Sequence, residues 1–110
     1  MRIAEFEKVA GVSRDTLRYY EKQGLLTPPS RLPNGYREYG AVQLEELAFI
    51  HKGKEIGFSL SLIRKAYTRY KQLGRFCPEF SAQLEDKKAQ LKARIANDAR
   101  AIAKIEKMLR

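Results

Sequence analysis

The feature that most constrains this chain is a long apolar seam near its C-terminus. Positions 84, 88, 91, 95, 98, 102, 105 and 109 are separated by alternating steps of four and three. Leu84, Leu91, Ile95, Ile102, Ile105 and Leu109 fill six of these eight positions, and Lys88 and Asp98 are the polar exceptions. A stripe of that period is the seam of a coiled coil, sustained here over about four heptads. A helix over residues 79–110, rising 1.5 Å per residue, is a rod of roughly 48 Å. The preceding stretch, roughly 75 residues, folds into too small a domain to cover such a rod. A second copy of the chain is the natural cover, so the seam predicts a homodimer. The alternative is a seam folded back within one chain.

Upstream the pattern is helical almost throughout. Ile3, Phe6 and Val9 share one face of a short helix that Gly11 closes. Ser13 suits the N-cap of a second helix, and Asp15 in its first turn suits the positive end of the dipole. That helix runs to about Gln23, where Gly24 supplies a left-handed C′ residue and Leu25 folds apolar surface back. Two short helices joined across Gly11-Val12 outline a helix-turn-helix. Residues 27–35, TPPSRLPNG, hold three of the four prolines and the pair Asn34-Gly35, a hairpin signal. Tyr36, Arg37 and Tyr39 follow, making a small basic and aromatic hairpin.

A third helix is expected over 41–56, with Leu44, Leu47, Ala48 and Ile50 inward and a stop at Gly57. Gly53 falls inside it, at a propensity cost of about 1 kcal/mol against alanine. Ser59 caps a fourth helix over 60–73, striped by Leu60, Ile63, Tyr67 and Tyr70. Pro78 fits the first turn of the last helix. The expected fold class is therefore mainly α, a winged helix-turn-helix with a β-hairpin wing and a long coiled-coil helix. Its divisions are 1–72 for DNA binding, 73–78 as linker and 79–110 for dimerisation.

Charge narrows the partner. The chain carries 22 Lys and Arg against 13 Asp and Glu, a net charge of +9. A small domain that basic usually meets a polyanion, either nucleic acid or an acidic membrane surface. No stretch of about 18 apolar residues is present, so no membrane span is expected. The N-terminal MRIAEFEKVAG has acids inside its apolar pattern, unlike a signal peptide, and the single cysteine excludes an internal disulfide. The expected compartment is the cytoplasm.

The second helix carries the chemistry. Leu17 faces the core and Tyr20 shares that side only partly, while Ser13, Arg14, Thr16, Arg18 and Tyr19 fan out over the remaining surface. Arginine forks onto guanine O6 and N7 or clamps a phosphate, and hydroxyls suit phosphate oxygens. The free N–H groups of a helix start also favour a phosphate. The hairpin adds Arg31, Tyr36 and Arg37, and the third helix adds Lys52 and Lys54 within reach of flanking phosphates. A solvated basic face is the competing reading for the helix, and packing within the hairpin for Tyr36 and Tyr39. His51 reads as an ordinary helix residue. Cys77, before Pro78 at a helix start, is either a small packing residue or a thiol sensor activated by the dipole. A lone cysteine and a lone histidine lack zinc spacing, so no metal and no cofactor are expected.

Three blocks, GVSRDTLRYYEKQGLL, NGYREY and IGFSLSLI, stand in an order and spacing that resemble the N-terminal domain of the MerR family. The resemblance covers roughly residues 1–72, and the last helix resembles that family's antiparallel dimerisation helix. It implies a dimer that binds a pseudo-palindromic promoter with an over-long spacer. It implies, too, that the protein distorts this DNA, so that RNA polymerase is engaged indirectly, through DNA shape. Arg18, Tyr19 and Tyr20 fall in the recognition-helix block, and Tyr36 and Arg37 in the wing block. Gly40 stands where the family commonly has a Ser or Thr cap. Metal-sensing relatives continue into a cysteine-bearing loop and drug-sensing relatives into a ligand domain; neither is expected here, and no inducer can be read. An excisionase-like architectural protein and a coiled-coil adaptor are the competing functions. No paired carboxylates, activated nucleophile or glycine-rich phosphate loop points to an enzyme.

Overall fold

The computed structural model describes residues 1–110, which divide into two compact units, Met1–Thr68 and Arg69–Arg110. The first unit begins with α1 (Ile3–Ala10) and α2 (Arg14–Lys22). Gly11 ends α1 in the left-handed conformation at φ 67°. The Ser13 side chain caps α2 by accepting from the Thr16 N–H at 3.2 Å. At the other end of α2 a Schellman motif closes the helix: the Leu25 N–H donates to Tyr20 O at 2.8 Å and the Gly24 N–H to Glu21 O at 3.1 Å. That closure turns Leu25 and Leu26 into the core.

The hairpin follows as β1 (Ser30–Arg31) and β2 (Arg37–Glu38), antiparallel, with Ser30 opposite Glu38 and Arg31 opposite Arg37. Its connection is longer than a two-residue Asn-Gly turn. The Leu32 N–H donates to Tyr36 O at 2.8 Å, and the Gly35 N–H donates to Leu32 O at 2.8 Å. Pro33 and Asn34 thus form the turn, and Gly35, at φ 85°, is the left-handed residue that re-enters the ladder.

Helix α3 (Ala41–Ile56) follows the hairpin. Its buried positions are Gln43, Glu46, Leu47, Ile50 and Gly53, a stripe at helical spacing. Ala48, expected inward, is exposed because it lies one residue, or about 100° of helix rotation, from Leu47. Val9 of α1 is likewise exposed, leaving Phe6 as the buried residue of that helix. Helix α4 (Leu60–Leu73) buries Ile63 and Ala66, whereas Tyr70 of the expected stripe is exposed. The core joins Phe6, Leu17, Tyr20, Leu25, Leu26, Tyr39, Leu47, Ile50 and Ile63. Phe6 and Tyr39 stack within it at 4.7 Å between ring centres.

Gly53 has a packing reason. A Cβ there would lie 2.6 Å from Ile63 Cγ1 and 2.7 Å from Ile63 Cδ1, far inside contact distance. The absent side chain lets α3 approach Ile63, which is itself enclosed.

The second unit contains α5 (Pro78–Met108), a single helix of 31 residues with Pro78 at its start. Before it, Gly74 donates its N–H to Tyr70 O at 2.8 Å. Phe76 then stacks between Tyr70 and Phe80, each 5.2 Å away. Beyond Leu84 the seam faces solvent in the single chain, with Ile95 at 68% and Ile102 at 55% exposure. No helix is long and apolar enough to cross a membrane.

Gly53→Ala is expected to destabilise the protein. Overpacking costs about 1–3 kcal/mol, and the gain in helix propensity returns only about 1 kcal/mol. In an Ile63→Ala background the clash disappears and the same change becomes neutral or stabilising. Thermal unfolding of the four proteins checks this; an equal loss in both backgrounds contradicts the close approach.

Candidate nucleic-acid interface

The wing is fastened at both feet to α3 by buried polar groups. Glu46, only 2% exposed, accepts the Thr27 N–H at 2.9 Å through one oxygen and the Thr27 hydroxyl at 2.8 Å through the other. Gln43 donates to Thr27 O at 3.1 Å and accepts the Gly40 N–H at 2.9 Å. Thr27 opens the hairpin segment and Gly40 closes it. Gly40 has no side chain to cap α3, so the reach-back of Gln43 supplies the cap from inside the helix.

The wing is tied to α2 as well. Arg37 Nη1 pairs with Glu21 Oε2 at 2.8 Å. The neighbouring Tyr39 hydroxyl and the Glu21 carboxylate hold the Arg37 pKa above its ordinary value, so this side chain keeps its charge. The Tyr39 hydroxyl is enclosed, and no hydrogen bond within geometric limits engages it. Arg14 Nε pairs with Glu7 Oε1 at 2.9 Å and so links α2 to α1. Each pair uses one nitrogen of a guanidinium with five N–H donors, which leaves further donors directed outward.

The structure brings most of the expected contact residues to one unit. Ser13, Arg14, Arg18 and Tyr19 are exposed on α2. Ser13 donates its hydroxyl to Thr16 Oγ1 at 2.9 Å, which leaves the Thr16 proton for an outside acceptor. Arg31 and Tyr36 are exposed on the hairpin, and Arg31 Nη1 donates to Gly35 O at 3.0 Å. Lys54 is exposed on α3 and shares with Ser13, Thr16, Tyr20 and His51 a groove of about 400 Å³ beside the start of α2. Tyr20, expected among the contact residues, is instead only 5% exposed and belongs to the core, although it also lines that groove. Adjacent residues on a helix point about 100° apart, so Tyr19 and Tyr20 do not both face outward.

Two features escaped the sequence. Arg2 stacks over the Tyr36 ring, its guanidinium carbon 4.4 Å from the ring centre. Glu46 and Gln43 are buried although glutamate and glutamine on a helix ordinarily signal a wet face. A third point concerns Cys77. It is 7% exposed; beside it, the helix-start amide of Glu79, then the Cys77 thiol and Arg69, hold the Glu79 carboxyl below its ordinary pKa. An enclosed thiol lacks the access that a sensor needs. No group of three or more His, Cys, Asp or Glu residues is placed to hold a metal ion.

Arg31 and Arg37 stand opposite each other on the two-stranded hairpin, with the charge of Arg37 already met by Glu21. A capped helix with exposed arginines, flanked by such a hairpin, has the outline of a winged helix-turn-helix. Residues 1–69 match the profile of the MerR HTH family regulatory proteins, and residues 44–108 that of MerR, DNA binding. The chain belongs to the MerR family.

It is 36% identical over 96 residues to the transcriptional regulator HmrR of Sinorhizobium medicae, covering 87% of this chain and 65% of that protein. The chain thus spans just under two thirds of that relative's length. The N-terminal part of MtaN, the Bacillus subtilis multidrug transporter activator, superposes with TM-score 0.68 at 29% identity, covering 99% of this chain and 97% of that one. HiNmlR, a MerR family regulator lacking the sensor domain and bound to promoter DNA, superposes with TM-score 0.69 at 27% identity, covering 93% and 77%.

Glu46→Gln is expected to loosen the wing. The amide puts an NH₂ group where a carboxylate oxygen accepts from Thr27, leaving a buried donor unmatched at about 1–3 kcal/mol. Amide hydrogen exchange reads the effect: faster exchange at Thr27 and through 30–40, with α5 unchanged. Unaltered protection of the hairpin contradicts the fastening.

Proposed function

We propose that the chain is a promoter-binding transcriptional regulator that works as a homodimer in the cytoplasm. The observation that carries this reading is the pairing of α2 with a wing whose facing strands both bear arginine. Helix α2 enters the major groove, where Arg18, exposed and held in no ion pair, reads a base edge or grips a phosphate. Ser13, Arg14, Thr16 and Tyr19 contact the adjacent backbone, and Tyr20 contributes only its groove-facing edge. Arg31, Tyr36 and Arg37 lay the wing along the phosphates, and Lys54 reaches a flanking one. These residues fix position and register. Promoter activity is then set by the shape imposed on the spacer, without a direct contact to RNA polymerase. Cys77 serves packing in this reading.

Residues 79–110 of two copies pair along the seam of Leu84, Leu91, Ile95, Ile102, Ile105 and Leu109 in antiparallel fashion. Support comes from the exposure of Ile95, Ile102, Ile105 and Leu109 in one chain, which leaves a long apolar stripe in water.

Arg18→Ala is expected to cost about 1–3 kcal/mol in specific binding, and Arg37→Ala to weaken all sequences alike. Fluorescence anisotropy with cognate and unrelated duplexes checks both; parent-like affinities in the two variants sink the winged-helix reading. Ile95→Asp with Ile102→Asp is expected to give monomers and to abolish tight operator binding, because one half-site offers half the contacts. Sedimentation that shows an intact dimer moves the interface elsewhere.

A further inference from the structure

The wing carries one cation that the contacts proposed above leave out. Arg2 is exposed, and its guanidinium carbon lies over the Tyr36 ring, 4.4 Å from the ring centre. The backbone delivers it there. Tyr39 donates its N–H to Met1 O at 2.6 Å, so the first residues run beside the end of β2. Arg2 is the N-cap of α1 in extended conformation, at φ −75° and ψ 162°, and its side chain leaves the helix instead of packing along it. Tyr36 is fixed in turn by its N–H bond to Asn34 Oδ1 at 3.1 Å.

An exposed cation on an exposed ring adds little to folding, so folding alone gives the pair little purpose. Stacking does restrict the guanidinium. A guanidinium held over a ring keeps N–H donors at its edge, and such a fork can accept a phosphate. Ordering the fork in advance also reduces the entropy lost when an anion binds. The side chain shares the hairpin with Arg31 and Arg37, and the nearby Glu38 carboxylate is engaged by the Met1 ammonium at 2.8 Å. Glu38 is therefore occupied by Met1 and Glu21 by Arg37, and neither is paired with Arg2.

We propose that Arg2, held on the Tyr36 ring, clamps a backbone phosphate of duplex DNA beside the wing. The inference rests on the DNA-binding reading above and extends the contact surface from the hairpin to the residues before α1. Tyr36 is then more than a phosphate contact: it is the platform that positions Arg2.

The test is a salt titration of duplex binding by the parent, Arg2→Ala, Arg2→Lys, Tyr36→Ala and the Arg2→Ala/Tyr36→Ala double variant. Arg2→Ala is expected to reduce the slope of log affinity against log salt by about one unit, with a several-fold loss for cognate and unrelated DNA alike. Arg2→Lys keeps the slope, because it keeps the charge. In the Tyr36→Ala background the loss caused by Arg2→Ala shrinks, because the platform is already gone. Thermal midpoints of the Arg2 variants stay at the parent value. A parent-like slope and affinity for Arg2→Ala overturns the proposal while leaving the DNA reading intact, and an identical loss in both backgrounds overturns the platform role. Absence of salt-dependent binding by the parent overturns the DNA reading and this inference with it.

Discussion

A buried carboxylate holds the hairpin wing of this molecule in place. Glu46 bonds both the amide and the hydroxyl of Thr27, and one turn earlier on the same face Gln43 bonds Thr27 and Gly40. The hairpin between those two residues has only two paired residues per strand. A ribbon that short is not stable alone in water. Its register and direction come from α3, which grips the chain at both ends of the excursion. The ion pair of Arg37 with Glu21 then sets the hairpin beside α2. Without these fastenings the arginines of the wing would be cations on a loose loop. With them they form a surface with fixed spacing, which is what phosphate recognition demands.

The same division of labour runs through the glycines and the core. Gly53 gives up helix propensity so that α3 can lie against Ile63. Phe6 and Tyr39 stack across the start of the chain and the end of the hairpin, so the wing is also anchored through an aromatic pair. The exposed face keeps its arginines partly engaged by Glu7 and Glu21. These acids orient the guanidinium groups while leaving other donors free, a compromise between a rigid surface and an available one.

The helix-turn-helix was legible in the residues because its boundaries are local chemistry. Ser13 caps within three residues, and Gly24 with Leu25 closes α2 through bonds to the preceding turn. The seam of α5 was legible for the opposite reason: over so long a helix, a period of seven residues cannot hide. The wing fastening was not legible. Glutamate and glutamine on a helix signal water unless a distant donor is known to face them, and Thr27 lies 19 residues before Glu46. Ala48 was misplaced by a single helical step, and Tyr20, expected only partly inward, is enclosed, because the apolar pattern alone leaves the edge of the buried stripe undefined. Arg2 was missed because its partner, Tyr36, is brought close only by the return of the chain after the hairpin.

The central claim is that two copies of this wing and helix, joined by α5, read duplex DNA as a unit. Selection of binding sequences from a pool of random duplexes tests it most directly, since it assumes no operator. The account requires enrichment of inverted repeats with one fixed distance between half-sites, as a rigid two-fold dimer imposes. Enrichment of single unpaired half-sites, or no enrichment at all, would contradict it.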